Sequence, residues 1–285
     1  MSEAHSQEAL LLRDIHVGDA ETCVTLSQAV GWPHRVADWQ MVIGLGHGVV
    51  ATLRGETVGT AMWWPFGEAH ATLGMIIVSP QHQGAGIGKR LFEGVLAQTG
   101  ARSLMLNATK AGEPLYLRYG FARRGGVSQY QGEVLAAPPP LRSGTTLRPG
   151  RADDLPELER LDRAATGLPR RAALTALLER GDCVMLEQDG KATGYSILRR
   201  SGRGLVVGPV VAGDDADATM LIAHWLHGLR GDFVRVDIRL GCDLGGWLEH
   251  CGLRRVNTVN GMLRGEAPAA SGPARVYAVI NQALG

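Results

Sequence analysis

Val78-Ser79-Pro80-Gln81-His82-Gln83-Gly84-Ala85-Gly86-Ile87-Gly88-Lys89-Arg90-Leu91 sets three alternating glycines between an apolar stretch, residues 71–78, and an amphipathic one, residues 85–98. The apolar stretch predicts a strand. Beyond the glycines, Ile87, Leu91, Phe92, Val95 and Leu96 share one face at helical spacing, which predicts a helix. Glycine has no Cβ, so the backbone between them can come close to a ligand. The first turn of the helix adds unpaired N–H groups and the positive end of its dipole. Strand, glycine loop and helix in this order make a cradle for a diphosphate.

Two common diphosphate loops fail on spacing. A P-loop needs glycine at 83 and Ser or Thr at 90, where the chain has Gln83 and Arg90. A dinucleotide fingerprint counted from Gly84 needs glycine at 89, where Lys89 stands, and no suitably placed acidic residue follows. What remains is Gln/Arg-x-x-Gly-x-Gly/Ala, here Gln83, Gly86 and Gly88, preceded by Val78-Ser79-Pro80. On these residues the chain resembles the GNAT N-acetyltransferase superfamily, whose signature loop binds the pyrophosphate of acetyl-CoA. Downstream, Leu106-Asn107-Ala108-Thr109 and Pro114-Leu115-Tyr116-Leu117-Arg118-Tyr119-Gly120-Phe121 are similar to the Asn and Leu-Tyr-x-x-x-Gly-Phe segments of these enzymes. The resemblance covers residues 11–135, with the second half matching only as a divergent copy, as in tandem-GNAT proteins.

The resemblance implies a fold and a set of roles. The fold class is mixed α/β, with two tandem GNAT-fold domains, each a mostly antiparallel sheet flanked by helices. Acetyl-CoA is the implied co-substrate, held by Gln83, Gly84, Ala85, Gly86, Ile87, Gly88 and Lys89; no metal is expected. A bulge in the strand ending at Val78 would turn a backbone N–H of Ile76, Ile77 or Val78 toward the thioester carbonyl, and Asn107 would hydrogen-bond the cofactor. Tyr116 is the implied general acid, since a phenol can protonate a departing thiolate. The base is less clear. Many relatives carry a Glu where this chain has Thr72; His70, two residues back on the same strand face, could serve through water, as could Glu68.

The loop Gly31-Trp32-Pro33-His34-Arg35-Val36-Ala37-Asp38 and Trp63-Trp64-Pro65-Phe66 lie where this family builds its acceptor pocket. Trp63 and Trp64 should point to opposite faces, leaving at most one for the pocket and the other for the core.

The chain also repeats itself. Leu12-Arg13 returns as Leu147-Arg148 and Gly59 as Gly194, both 135 positions on, while Tyr119-Gly120-Phe121 returns as Cys251-Gly252-Leu253 after 132. The proline-rich seam around Pro138-Pro139-Pro140 cannot continue a helix or central strand. The expected domains are therefore residues 1–137, a spacer at 138–144, and residues 145–285. In the second copy the matching loop, residues 208–217, has lost its glycine spacing. Asp214, Asp215 and Asp217 stand there instead, each repelling a diphosphate by about 1 kcal/mol per charge pair near 4 Å in water. Asp214 or Asp215 would cap the following helix, and Leu248 replaces Tyr116. The second copy is thus expected to be degenerate.

Length and composition agree with two globular domains: 285 residues, 45% hydrophobic and 20% charged. A net charge of +1 without a Lys/Arg stripe argues against nucleic acid and an anionic membrane. No apolar run is long enough to span a bilayer, and the N-terminus has no secretory pattern. Cys23, Cys183, Cys242 and Cys251 lack metal spacing and read as reduced thiols of a cytoplasmic protein. The function these residues favour is transfer of an acetyl group to a small-molecule amine, by a monomer or homodimer. A non-catalytic acyl-CoA-binding module and transfer to a protein N-terminus or lysine stay open.

Overall fold

The computed structural model describes residues 10–137 and 143–285. Of the spacer expected at 138–144, positions 138–142 lie outside the described residues. Ten elements succeed one another in the first copy: β1 (Leu11–Asp14), α1 (Ala20–Ala29), α2 (Val36–Leu45), β2 (His47–Leu53), β3 (Glu56–Phe66), β4 (His70–Val78), α3 (Ile87–Gln98), β5 (Ser103–Ala108), α4 (Glu113–Arg118) and β6 (Ala122–Glu133). The same order follows in the second copy: β7 (Thr145–Pro149), α5 (Leu155–Thr166), α6 (Arg171–Leu178), β8 (Gly181–Gln188), β9 (Lys191–Ser201), β10 (Gly204–Ala212), α7 (Asp215–His227), β11 (Phe233–Arg239), α8 (Gly245–His250) and β12 (Arg254–Arg264). A further strand, β13 (Arg275–Ala278), has no counterpart among the described residues of the first copy. The mixed α/β architecture expected from the resemblance is the one observed.

The short sequence landmarks of the repeat have physical reasons. A Cβ on Gly59 would stand 2.7 Å from both the Ile77 carbonyl oxygen and Leu91 Cδ1; one on Gly194 would stand 2.6 Å from the Val211 carbonyl oxygen and 3.4 Å from Leu221 Cδ1. In both copies, then, only glycine lets β3 or β9 pass beneath the next strand and its helix. Arg13 pairs with Asp19 at 2.6 Å and Arg148 with Asp154 at 2.8 Å, the same ion pair 135 residues apart. Gly120 and Gly252 both take positive φ, 80° and 99°, and turn the chain out of α4 and α8.

By its contacts the chain divides into two compact units, one of Met1–Trp64 and Leu73–Ala101, the other of Pro65–Thr72 and Arg102–Gly285. In the first, β1, β2, β3 and β4 lie side by side, with β1 and β2 antiparallel from Leu11↔Thr52 to Asp14↔Val49. The buried side of α3, Ile87, Leu91, Phe92 and Val95, is the face read from the sequence.

The second unit interleaves the copies. Its strand order runs β5-β12-β6-β11-β13-β10-β9-β8-β7. β12, the last repeated strand of the second copy, lies between two strands of the first, with Gly261 opposite Asn107 and Val259 opposite Val127. β6 in turn pairs antiparallel with β11 from Val127 to Glu133. Each copy's last strand therefore completes a ladder begun by the other, and the compact units do not follow the sequence repeat. β10 runs parallel to β11 from Leu205 to Val207, shifts its register against β9 between Val207 and Val210, and from Val210 on pairs antiparallel with β13. Around these strands pack buried Leu221, Leu226, Leu248, Leu253 and Tyr277. Each aliphatic side chain in such a core contributes about 1.5–3 kcal/mol.

Candidate functional site

The glycine loop is the part of the site with the most distinctive backbone. Gly84 and Gly86 have φ of 82° and 77°, and nothing lies within 4 Å of where their Cβ atoms would be. They are required for their backbone shape rather than for lack of room. Gly86 is the N-cap of α3, and no side chain caps the helix. The first-turn N–H groups of Ile87, Gly88 and Lys89 therefore have no intrahelical acceptor. Gln83 Nε2 donates to the Val78 carbonyl at 3.2 Å and ties the loop's base to the end of β4. An uncapped helix end above an open glycine turn fits a diphosphate in its donors and its charge. The Lys89 side chain faces outward, 3.8 Å from Glu93; what it offers that ligand is its backbone N–H.

On β4, Leu73, Met75 and Ile77 are buried, while His70, Gly74, Ile76 and Val78 are half-buried. One backbone irregularity lies on this strand, one residue ahead of the donors expected at Ile76, Ile77 and Val78. Met75 has φ 51°, a region costly for a residue with a side chain. Its carbonyl accepts from Thr60 Oγ1 at 2.8 Å, which helps hold it there. Near the other end of the strand, His70 Nε2 and Thr72 Oγ1 are both buried without a hydrogen-bond partner among the described residues. Each such buried, unpaired polar atom calls for a water or ligand as its partner. Glu68, the other base considered, is 99% exposed in its side chain and pairs with Arg102.

Tyr116 is buried on α4, and burial pushes its phenol up to about 12. Its ring folds back over Gly112: a Cβ there would stand 3.1 Å from Tyr116 Cε2 and 3.3 Å from its hydroxyl. One turn before it, Glu113 is buried, and its carboxylate accepts from Asn260 Nδ2 at 2.6 Å and from Arg123 Nε. These two bonds, with Asn260 first, hold its carboxyl below the usual Glu range. Asn107 Nδ2 donates to the Gln282 carbonyl at 2.7 Å. Half of this amide is thus engaged by the chain's own C-terminal segment, leaving Oδ1 for a ligand. Neither Asn260 nor Gln282 was visible as a site residue in the sequence, because Asn260 reaches the first copy's elements on β12 and Gln282 from the segment after β13.

Of the two indoles, at most one was open to a pocket role, and the structure buries both. Trp63 and Trp64 are both buried; Trp63 Nε1 donates to Gln98 Oε1 at 2.9 Å and Trp64 Nε1 to the Val42 carbonyl at 2.8 Å. Both indoles are therefore core, and a hydrogen-bond partner for each N–H makes that possible. The stretch read as a loop through Asp38 becomes α2 at Val36, with Asp38 accepting from the Arg35 backbone at 2.9 Å.

In the second copy the equivalent features are closed. Asp214 caps α7, accepting from the Asp217 N–H at 2.8 Å, as expected from the carboxylates there. Asp215 Oδ1 accepts from Arg275 at 2.6 Å and from the Tyr277 hydroxyl at 2.7 Å, so this helix end is also latched to β13. β13 itself pairs with both β10 and β11, filling the space where those strands part. Leu248 occupies the place of Tyr116: the Leu253 N–H meets the Leu248 carbonyl as the Phe121 N–H meets that of Tyr116.

No helix among the described residues is long and apolar enough to cross a membrane, and no three potential metal-ligating side chains gather there. Comparison with known proteins agrees with the geometry. Two family models, both described as acetyltransferase (GNAT) domain, match residues 44–123 and 158–278. A Bacillus subtilis (strain 168) protein described as uncharacterized N-acetyltransferase YitH is 26% identical over 291 residues, covering 98% of each chain. Among solved structures, a protein of Pyrococcus horikoshii provisionally described as an acetyltransferase aligns with a TM-score of 0.79 at 20% identity, over 100% of this chain and 99% of its own. A tandem GNAT protein from the clavulanic acid biosynthesis pathway aligns with a TM-score of 0.64 at 16% identity, over 91% of this chain and 100% of its own. Loop, repeat and matched models converge: the chain belongs to the GNAT N-acetyltransferase family and carries two such domains in tandem.

Proposed function

We propose that this enzyme transfers an acetyl group from acetyl-CoA to the amine of a small molecule, with the reactive residues in the first copy, residues 1–137, and with residues 145–285 as a degenerate partner. The observation that carries the reading is the uncapped, glycine-led N-terminus of α3 beside the capped one of α7. The backbone N–H groups of Gly84 to Lys89 hold the diphosphate, and the co-substrate brings an acyl group activated as a thioester. A donor among Ile76, Ile77 and Val78 polarises its carbonyl. His70 accepts the amine's proton through a water that its buried Nε2 can hold. Tyr116 stays protonated at neutral pH because its pKa is near 12. A thiol is the stronger acid, at about 8.5, so Tyr116 hydrogen-bonds the sulfur as its charge grows and gives up its proton only as the proton taken from the amine is relayed back to the phenol, leaving a free thiol and a neutral tyrosine. The turn at Gln282 against Asn107 supports a walled site, suited to a small acceptor more than to a polypeptide.

The test is thiol release from acetyl-CoA across a panel of amino acids, polyamines, aminosugars and peptide N-termini. One or more small amines should release thiol stoichiometrically with acetylated product. Tyr116→Phe should retain acetyl-CoA affinity while kcat falls roughly 10² to 10⁴-fold. Turnover on peptides alone, or an undiminished Tyr116→Phe, would refute the acceptor class or the Tyr116 role respectively.

A further inference from the structure

We propose that Asn260, on the strand the second copy places beside β5, is a positioning residue for Tyr116 and acts through the carboxylate of Glu113. The inference rests on the reading of Tyr116 as proton donor. α4 has six residues, too few to hold its own geometry without packing. Its orientation is set at its two ends. At the far end the Phe121 N–H returns to the Tyr116 carbonyl at 3.2 Å. At the near end the only residue of the first turn with a charged side chain, Glu113, is drawn inward, with 7% of that side chain exposed. A carboxylate so buried must have its oxygens satisfied.

Two donors do this, and they differ in rigidity. Arg123 reaches Glu113 Oε1 from a side chain that is 68% exposed, so its pull is screened by water. Asn260 reaches Oε2 at 2.6 Å from β12, where it lies opposite Ala108 of β5 and Gly126 of β6. Its backbone is therefore fixed by ladders on both sides, and its amide is a short, stiff tether. Because Glu113 and Tyr116 are three residues apart on one helix, they sit on neighbouring positions of the same face. Losing the Asn260 bond frees one carboxylate oxygen to seek water, which lets α4 turn about its remaining attachment and carries the phenol with it. Asn260 is placed to act through Glu113 on Tyr116, and the second copy thereby helps set the geometry of the first copy's proton donor.

The experiment uses the full chain, acetyl-CoA and an amine accepted in the panel. Asn260→Ala should lower kcat roughly 10- to 100-fold and leave acetyl-CoA affinity, measured by calorimetry, unchanged. The reciprocal exchange Glu113→Gln with Asn260→Asp keeps the hydrogen bond with donor and acceptor reversed, and should restore most of the lost kcat. In a Tyr116→Phe background, Asn260→Ala should cause no further loss, since its route of action is gone. An equal further loss in that background, a parallel loss of acetyl-CoA affinity, or no recovery in the exchanged pair would overturn the proposal. If Asn260→Ala alone does not fold, the exchanged pair decides between the same outcomes. A Tyr116→Phe variant as fast as the unmodified chain refutes the Tyr116 reading itself, and this inference with it.

Discussion

Single residues in this chain differ in how far their role can be read from their type. Tyr116 stands out as a candidate because it falls at the tyrosine of a Leu-Tyr-x-x-x-Gly-Phe motif, with core packing as the alternative at that position. Its burial, and the raised pKa that follows, needed the folded chain. Gly112 is the opposite case, since nothing in its flanking sequence marks it. Yet its φ of −83° is ordinary for any residue, and the reason for glycine is the Tyr116 ring resting 3.1 Å from where a Cβ would be. Gly112→Ala is therefore a purely steric probe of the phenol's placement. It should lower kcat about tenfold while retaining acetyl-CoA affinity and cooperative unfolding; wild-type kcat would show that the hydroxyl's position is not critical. His70 was readable as a candidate only from strand alternation, and its buried, unpaired Nε2 is what now sets it apart from Glu68.

At the scale of elements, local pattern identified β4 and α3, because an apolar run ending in a glycine turn and an amphipathic spacing are local signals. It did not identify α2, whose apolar residues Trp39, Met41, Val42 and Ile43 cluster without a clean stripe. Nor did it reveal which strands pair, since a partner from the other copy leaves no mark on the strand that receives it. The junction of α4 with β12 has a pH signature. The Glu113 carboxyl is held below its ordinary 4.5 first by Asn260 and then by Arg123. A group depressed in the folded state stabilises above its unfolded pKa, and that contribution disappears as pH falls through the folded value. The difference in urea-unfolding free energy between the unmodified chain and Asn260→Ala should be constant near neutrality and should narrow below about pH 4.5. A difference that stays constant down to strongly acidic pH would mean the bond does not favour the ionised carboxyl.

For the molecule as a whole, duplication followed by divergence explains features that neither copy shows alone. The repeated Arg–Asp pair and the repeated blocked glycines keep one scaffold in both halves. The two copies differ at the helix ends after β4 and β10. The first is open and led by glycine; the second is capped by Asp214 and latched through Asp215 to β13. Both the lost glycine spacing and the added carboxylates were legible in the sequence. The filling of the gap beside β10 by β13 was not, because a four-residue strand of Arg-Val-Tyr-Ala has no local signature of where it docks. Strand interleaving then makes the second copy a structural contributor to the first, since β12 completes the ladder beside β5.

The central claim is that the first copy's loop alone holds coenzyme A. Titration calorimetry with acetyl-CoA tests it most directly on the full chain and on Gly86→Val, which forces a β-branched residue into the left-handed conformation at φ 77°. The account predicts one acetyl-CoA per chain for the unmodified protein and no measurable binding for a folded Gly86→Val; two sites per chain, or undiminished binding in the variant, would contradict it.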